Sequence, residues 1–216
     1  MDIKEKEFRD ELYGSRTDLS EIETQCILEL LNKFDEPRYL EIGVYFCGTF
    51  RKVLDFLSEN KENYYATGVD LFELIAEENS GEQTHKIINK WRMLNVALHK
   101  DIVDFLEDKG YENFTLVKGH SDKVLDSEKF DMDLYFIDGN HTYLQTKKDA
   151  ESCILSGGAG SYIVFHNASK DQVPDIHYVE RDGGPWKVCE ELKLDPRVEF
   201  VEKADRCVVF KRVYNE

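Results

Sequence analysis

The spacing of apolar residues alternates along the chain between a helical period and short continuous runs. Near the N-terminus, residues 18–34 carry one apolar residue per helical turn, which predicts an amphipathic helix. The positions that form this apolar stripe are Ile22, Cys26, Leu30 and Phe34. A shorter helix is predicted before it, ending near Gly14, and the segment from Asp18 to Glu21 is interpreted as a capping box.

Seven apolar runs predict strands. Five of them alternate with helical segments and are expected to form a parallel sheet: residues 38–43, 64–70, 113–121, 130–143 and 162–166. The last two runs, 198–202 and 206–213, are joined by a short connection, so they are expected to be antiparallel neighbours. The intervening helices are predicted at 50–57, 143–155 and 186–193. We therefore expect a doubly wound α/β fold with a seven-stranded, mostly parallel sheet, an antiparallel C-terminal hairpin and helices on both faces.

The length of the chain is typical of one α/β domain with room for an insertion. We expect a single domain over residues 1–216, with N-terminal helices in 1–35 and a helical insertion in 74–110 that ends at Gly110 as a C-cap. This insertion is longer than a crossover requires. It is interpreted as a lid, a wall of the substrate site or a dimer surface.

The charge of the chain restricts its partners. There are 28 Lys and Arg against 44 Asp and Glu, a net charge of −16, which argues against a nucleic-acid partner. No apolar run reaches membrane length, and the charged N-terminus does not resemble a signal peptide. Five scattered cysteines without a CxxC pair favour a reducing compartment, so a cytoplasmic protein with buried thiols is expected. The expected partner is a small neutral or cationic molecule, with a homodimer as a further expectation.

The stretch YLEIGVYFCGT, residues 39–49, has the form of a strand, a glycine loop and the start of a helix. Residue 45 is Tyr, which breaks a dinucleotide fingerprint, and Thr49 stands where a phosphate-binding P-loop needs lysine. The remaining pattern is an acid, Glu41, beside Gly43 and Gly48 in a loop without Lys or Arg. This pattern favours a ligand with a cationic amino or sulfonium group, and the alternative is a tight strand–helix turn without a ligand.

Polar residues stand at the ends of five predicted strands. They are Glu41, Asp70, the pair His120 and Ser121, Asp138 with His141, and the pair His166 and Asn167. Because the carboxyl ends of parallel strands lie at one edge of a sheet, we expect these residues to line one crevice. A carboxylate can accept both hydroxyls of a ribose, which is the role expected for Asp70, with Glu73 as the alternative.

The same strand ends offer ligands for a metal ion and a base. Oxygen ligands from Asp138 and Asn167 suit Mg²⁺, and His166 shifts the preference towards Mn²⁺ or Zn²⁺. The alternative for His166 is a ring hydrogen-bonded to the backbone. His141 follows Asp138 closely, and its ordinary pKa near neutrality suits a group that removes a proton from a hydroxyl.

The motifs LEIGVYFCGT, GVDLFE, VKGHS, LYFIDGNHTY, GGAGSYIVFHN and GGPWKVCEEL follow one another in the chain. In this order they resemble the class I S-adenosylmethionine (SAM)-dependent methyltransferases, in particular the branch of small-molecule and sugar O-methyltransferases. The resemblance extends from about residue 18 to residue 212, and FIDGNHTY is its most specific part. It implies a Rossmann-like fold, SAM as the cofactor and a divalent cation such as Mg²⁺ as an additional one.

The resemblance also implies roles for individual residues. The expected cofactor-binding residues are Glu41, Gly43, Gly48, Asp70, His120, Ser121 and Asp138. Of these, Glu41 and Gly43 would hold the methionine end, Asp70 the ribose, and His120 with Ser121 the adenine edge. Cys47 stands where a glycine is frequent in the family.

For catalysis, the resemblance implies His141 as the base and Asp138 as the first metal ligand. His166 and Asn167 fall at the second ligand pair, where Asn167 replaces an aspartate, leaving one carboxylate where two are common. The expected reaction is in-line attack of a substrate hydroxyl on the sulfonium methyl group. The alternatives are a non-catalytic cofactor- or nucleotide-binding protein and a different enzyme on the same scaffold.

Overall fold

In a computed structural model, residues 3–14, 17–73, 98–170 and 183–213 of the chain are described. Seven strands belong to one sheet: β1 (Arg38–Ile42), β2 (Tyr65–Asp70), β3 (Phe114–Lys118), β4 (Leu134–Ile137), β5 (Tyr162–Phe165), β6 (Val198–Ala204) and β7 (Cys207–Arg212). The helices in the described ranges are α1 (Ile3–Gly14), α2 (Glu21–Leu31), α3 (Gly48–Asn60), α4 (Leu98–Asp108), α5 (Ser121–Ser127), α6 (Tyr143–Ser156) and α7 (Gly184–Leu192).

The sheet confirms the predicted fold class. Its strand order is β3-β2-β1-β4-β5-β7-β6, with parallel pairing from β3 to β5 and antiparallel pairing of β5 with β7 and of β7 with β6. The strand order reverses beside β1, which pairs with both β2 and β4. In doubly wound sheets, ligands bind outside the carboxyl ends of the strands at such a reversal.

Alternate residues of the central strands supply two separate hydrophobic cores. Tyr39 and Phe136 belong to a core that includes residues of α1 to α4, whereas Leu40 and Ile137 belong to a core that includes residues of α6 and α7. Helices therefore cover both faces of the sheet, as expected for strands with continuous apolar runs. All five cysteines are buried free thiols, consistent with their interpretation as small apolar residues.

Two local boundaries differ from the sequence predictions. The capping box of α2 is formed by Ser20 and Glu23, because Ser20 Oγ accepts from Glu23 N at 3.3 Å and Glu23 Oε2 accepts from Ser20 N at 2.7 Å. The segment from Asp18 to Glu21 was therefore the wrong assignment for the cap. The C-terminal hairpin turns later than predicted, since β6 continues to Ala204.

The C-terminal part of the predicted insertion is helical. Residues 74–97 lie outside the described ranges, but α4 follows them and ends at Asp108, and the φ of +88° at Gly110 fits the predicted C-cap. Buried Asp101 of α4 pairs with Arg9 and accepts a hydrogen bond from Tyr13 at 2.7 Å. This helix is thereby fixed to α1. None of the helices in the described ranges is long and apolar enough to cross a membrane.

Candidate active site

Two adjoining cavities lie at the carboxyl ends of the parallel strands. The larger has a volume of about 620 Å³ and the smaller about 410 Å³. All ten residues predicted for the site line one or both of them: Glu41, Gly43, Gly48, Asp70, His120, Ser121, Asp138, His141, His166 and Asn167. The expectation that the strand ends form one crevice is thus confirmed, and the cavity has the size of a small-molecule site.

Gly43 brings the loop after β1 against the end of β4. Its φ is +92°, and a Cβ atom there would lie 2.2 Å from the carbonyl oxygen of Asp138. Both the backbone conformation and the close approach require glycine at this position. Cys47, which stands where glycine is frequent, has a left-handed φ of 59° and precedes α3 without capping it through its side chain.

Asp70 connects two loops at the edge of the cavity. Its Oδ2 accepts from Tyr45 N at 2.9 Å, and its Oδ1 accepts from Phe72 N at 2.6 Å. Tyr45 and Phe72 both have positive φ, 51° and 48°. Since a carboxylate has about four acceptor positions, Asp70 can fix both loops and still accept hydroxyl groups of a ligand.

Glu41 is an acid with almost no access to solvent. It is 1% exposed, and its Oε2 accepts a hydrogen bond from Tyr39 Oη at 2.7 Å. Burial raises the pKa of Glu41 well above its usual value, and the nearby charges of Asp138 and Asp70 raise it further. A cationic group placed beside Glu41 would favour its ionised form.

The predicted adenine end contains a hydrogen-bonded group on α5 and α6. Ser121 Oγ donates to Asp149 Oδ1 at 2.7 Å, and Gln145 Nε2 donates to Ser121 Oγ at 3.1 Å and to Asp149 Oδ1 at 3.0 Å. Asp149 is fully buried, and burial raises its pKa. Ser121 is therefore held in place from behind by groups that the sequence patterns did not single out.

Asp138 lies between two histidines. Its Oδ1 is 3.3 Å from His141 Nε2 and 2.9 Å from His166 Nδ1. Burial opposes ionisation of Asp138, but the hydrogen bonds from His141 and His166 outweigh it and hold the pKa of Asp138 below its usual value. With Nε2 of His141 directed at a carboxylate, its Nδ1 is the nitrogen left to accept a proton.

His166 also faces a second carboxylate on its other side. Its Nε2 lies 3.6 Å from Glu23 Oε1, and the side chains of His166 and Glu23 are 1% and 0% exposed. Arg206 binds Glu23 through Nε at 3.0 Å and Nη2 at 2.8 Å. Burial opposes ionisation of Glu23, but the hydrogen bonds from Arg206 and Ser20 lower its pKa below the usual value.

The predicted metal ligands do not have an arrangement that fits a divalent cation. Both ring nitrogens of His166 face carboxylates, so neither offers a lone pair to the cavity. Asp138 and Asn167 remain as one carboxylate and one amide, and the described ranges contain no group of three His, Cys, Asp or Glu side chains that could hold a metal ion. The ligand set formed by Asp138, His166 and Asn167 therefore stays a prediction, and the contacts of the His166 ring do not favour it, because Nδ1 contacts Asp138 and Nε2 is buried facing Glu23.

Several residues of the site were missed by sequence reasoning. Asp18 and Tyr45 line both cavities, and Gln145 lines the larger one. Asp18 is in the segment before α2, which is joined to the glycine loop by a 2.9 Å hydrogen bond between the hydroxyls of Thr17 and Thr49. The S-x-x-E pattern at Ser20 was a usable signal, because it places Asp18 in a loop before the helix.

The chain belongs to the methyltransferases. A family model described as a methyltransferase domain matches residues 40–168, which is more than half of the chain. This match confirms the enzyme class expected from the sequence. Comparison with curated proteins gave no match.

Solved structures with this fold include methyltransferases from fungi and bacteria. The SAH-bound methyltransferase PaMTH1 of Podospora anserina has a TM-score of 0.62 at 14% identity, over 100% of this chain and 89% of that one. The O-methyltransferase of Bacillus cereus in complex with SAH has a TM-score of 0.60 at 14% identity, over 99% of this chain and 92% of that one. The O-methyltransferase TomG of Streptomyces achromogenes is involved in tomaymycin synthesis, and its structure is in complex with SAM. It has a TM-score of 0.60 at 12% identity, over 99% of this chain and 91% of that one. At these identities the likeness shows a shared fold.

Proposed function

We propose that this chain is a cytoplasmic SAM-dependent O-methyltransferase that acts on a small hydroxylated acceptor such as a sugar or a natural product. The observation that carries the proposal is the convergence of five strand ends on one crevice in which Asp138 orients His141. Membership of the methyltransferase family and a fold shared with SAM- and SAH-bound enzymes support it.

The proposed cofactor site extends across the strand ends. Glu41 and Gly43 receive the methionine end of SAM, where a buried acid complements a cationic amino group. Asp70 receives the ribose hydroxyls, and His120 and Ser121 meet the adenine edge. SAM supplies the methyl group as a sulfonium substituent and leaves as S-adenosylhomocysteine (SAH).

His141 acts as the base in the proposed reaction. The bond from the acceptor oxygen to the methyl carbon forms as the sulfur–carbon bond breaks, and the hydroxyl proton passes to Nδ1 of His141. Asp138 accepts a hydrogen bond from Nε2 and so fixes the tautomer and the orientation of the ring. General-base catalysis of this kind contributes about 10²- to 10⁴-fold.

The charge of the site favours a neutral or cationic acceptor. Among the described residues that line the two cavities there is no Lys or Arg, whereas Asp18, Glu41, Asp70, Glu73 and Asp138 are acids. A polynucleotide or a phosphorylated acceptor would meet electrostatic repulsion there. A small-molecule substrate is the proposal that fits this surface.

The test is the formation of SAH by the wild-type protein with a panel of hydroxylated acceptors, compared with His141→Ala. We expect acceptor-dependent SAH from the wild type and a loss of about 10²-fold or more in kcat for the variant, with SAM affinity retained. SAM binding without turnover on any acceptor would instead favour the non-catalytic alternative. A fully active His141→Ala variant would refute the assignment of the base.

A further inference from the structure

A chain of side chains runs from buried Glu23 of α2 to the candidate base. Glu23 lies beside His166, His166 bonds to Asp138, and Asp138 bonds to His141. Glu23 and Arg206 lie outside residues 40–168, the part that matches the family. The groups behind His166 therefore come from parts of this chain that the family match does not include.

The contacts of His166 determine where its ring carries a proton. Nδ1 lies 2.9 Å from Asp138 Oδ1, and two acceptors cannot share a bond at that distance without a proton, so Nδ1 carries one. A metal ion at Nδ1 would have to displace this proton and break the contact with Asp138. Nε2 points away from Asp138, into the protein, where it is buried against Glu23.

The carboxylates of this chain of side chains have donors in place without a dication. Arg206 forms a two-pronged ion pair with Glu23, and two imidazoles donate to the same oxygen of Asp138. Metal-assisted sites instead use several carboxylates, which a divalent cation neutralises. Here the amide of Asn167 replaces the second carboxylate, and the imidazole of the adjacent His166 is a donor to the first.

We propose that His166, buried against Glu23, occupies the role that a divalent cation and its second carboxylate have in metal-assisted sites, so that methyl transfer at this site needs no metal ion. The proposal rests on the methyltransferase function proposed above. His166 and Glu23 are positioning residues, because they act on the reaction through Asp138 and His141.

This arrangement also restricts how the acceptor is recognised. A metal ion can bind two neighbouring oxygens of an acceptor and lower the pKa of one hydroxyl. Without that ion, the acceptor needs a single hydroxyl within reach of His141, and deprotonation depends on this base alone. Acceptors with an isolated hydroxyl are therefore expected to serve as well as those with vicinal hydroxyls.

The decisive experiment is titration of the wild-type protein with Mn²⁺, followed by its paramagnetic resonance signal, alongside Asp138→Asn. The acidic surface will bind some Mn²⁺ weakly in both proteins, and this binding should be equal and should disappear at high salt. We expect the wild type to have no Mn²⁺ site that is missing in Asp138→Asn. We also expect the rate of SAH formation to be the same in EDTA as in Mg²⁺. One Mn²⁺ per chain that Asp138→Asn abolishes, or activity that requires Mg²⁺, would overturn the proposal.

The positioning role is tested with Glu23→Gln and a matched control, Glu21→Gln. Glu21 is an exposed acid in the same first turn of α2, so its substitution should leave kcat unchanged. For Glu23→Gln we expect kcat to fall about tenfold or more, because small displacements of reacting groups lower the rate strongly. SAM affinity should stay near the wild-type value, and the ¹⁵N signals of His141 should show a changed tautomer mixture.

A purely structural role for Glu23 would lower the melting temperature and leave kcat and the His141 signals unchanged, which would contradict the positioning role. Failure of the wild type to bind SAM or to form SAH would refute the proposed function. The Mn²⁺ titration would still decide whether Asp138 holds a metal ion, so the two failures can be told apart.

Discussion

Replacing Asp70 with Asn tests whether this acid has a structural as well as a ligand-binding role. Its two carboxylate oxygens accept backbone N–H groups from Tyr45 and Phe72 at 2.9 and 2.6 Å. An asparagine can accept only one of these bonds, because its amide nitrogen is a donor and would face the other N–H group. Asp70→Asn therefore removes one bond to a charged acceptor and leaves a backbone donor facing a second donor.

The size of the effect follows from this count. A hydrogen bond to a charged group contributes about 1.5–3 kcal/mol, and water can replace part of it at this half-buried position, so we expect a loss of about 1–2 kcal/mol. For a chain of this length, about 2–4 °C of melting temperature correspond to 1 kcal/mol. The SAM-free variant should therefore melt about 2–8 °C below the wild type.

The sign of the change separates the two roles. If Asp70 served only a ligand, its removal would break no bond in the SAM-free protein and would ease ionisation of Glu41, whose pKa its charge helps to raise, so stability would be unchanged or higher. Asp126→Asn is the matched control, since Asp126 is an exposed acid of α5 and its substitution should change stability by less than about 0.5 kcal/mol. Thermal and urea unfolding of the SAM-free proteins provide the assay. Equal or higher stability of Asp70→Asn relative to the control would refute the reasoning.

Three other predictions concern the walls of the cavity. Gly43→Ala should abolish SAM binding in calorimetry, because its methyl group would lie 2.2 Å from the carbonyl oxygen of Asp138 at a φ of +92°; retained affinity would contradict the model of this loop. Gly184→Ala should lower kcat more than SAM affinity, because a Cβ there would lie 2.4 Å from the carbonyl oxygen of His141. Steady-state kinetics measure kcat, and calorimetry measures the affinity. Burial raises the pKa of Glu41, so the SAM-free protein holds this proton to a higher pH than an ordinary glutamate would. Cationic SAM favours the ionised form of Glu41, so the affinity for SAM should rise with pH up to that raised pKa. Calorimetry in buffers of different ionisation enthalpy should detect the release of a proton when SAM binds to the wild type, and no such release with Glu41→Gln.

The sheet and the location of the site could be predicted because they follow from local patterns and general topology. Apolar runs alternating with helices specify a doubly wound sheet, and parallel strands place their carboxyl ends at one edge. Asp70 and Asp138 could thus be assigned to one crevice although 68 positions separate them in the sequence. The confirmed fold class required no information beyond this alternation and the short link before the last strand, whereas the strand order came from the structure.

The remaining features depend on tertiary contacts that a sequence pattern does not contain. The contact of Glu23 with His166 joins residues 143 positions apart, and the positive φ of Tyr45 occurs in a residue that rarely adopts it. His166 was expected to be a metal ligand or a ring bonded to the backbone, and its two carboxylate neighbours changed that interpretation. The start of α2 was misplaced because Asp18 and Ser20 are both good N-cap residues, and the reciprocal bonds of Glu23 select Ser20.

The most direct test of the central claim is calorimetric titration of SAM into the wild-type protein, with Asp70→Ala and Asp126→Ala measured in parallel. The proposed cofactor site predicts one SAM bound per chain by the wild type and by Asp126→Ala, with affinity at least about tenfold weaker in Asp70→Ala, because the ribose loses a charged acceptor. Absence of SAM binding to the folded wild-type protein would contradict the claim that the crevice at the strand ends is a SAM site.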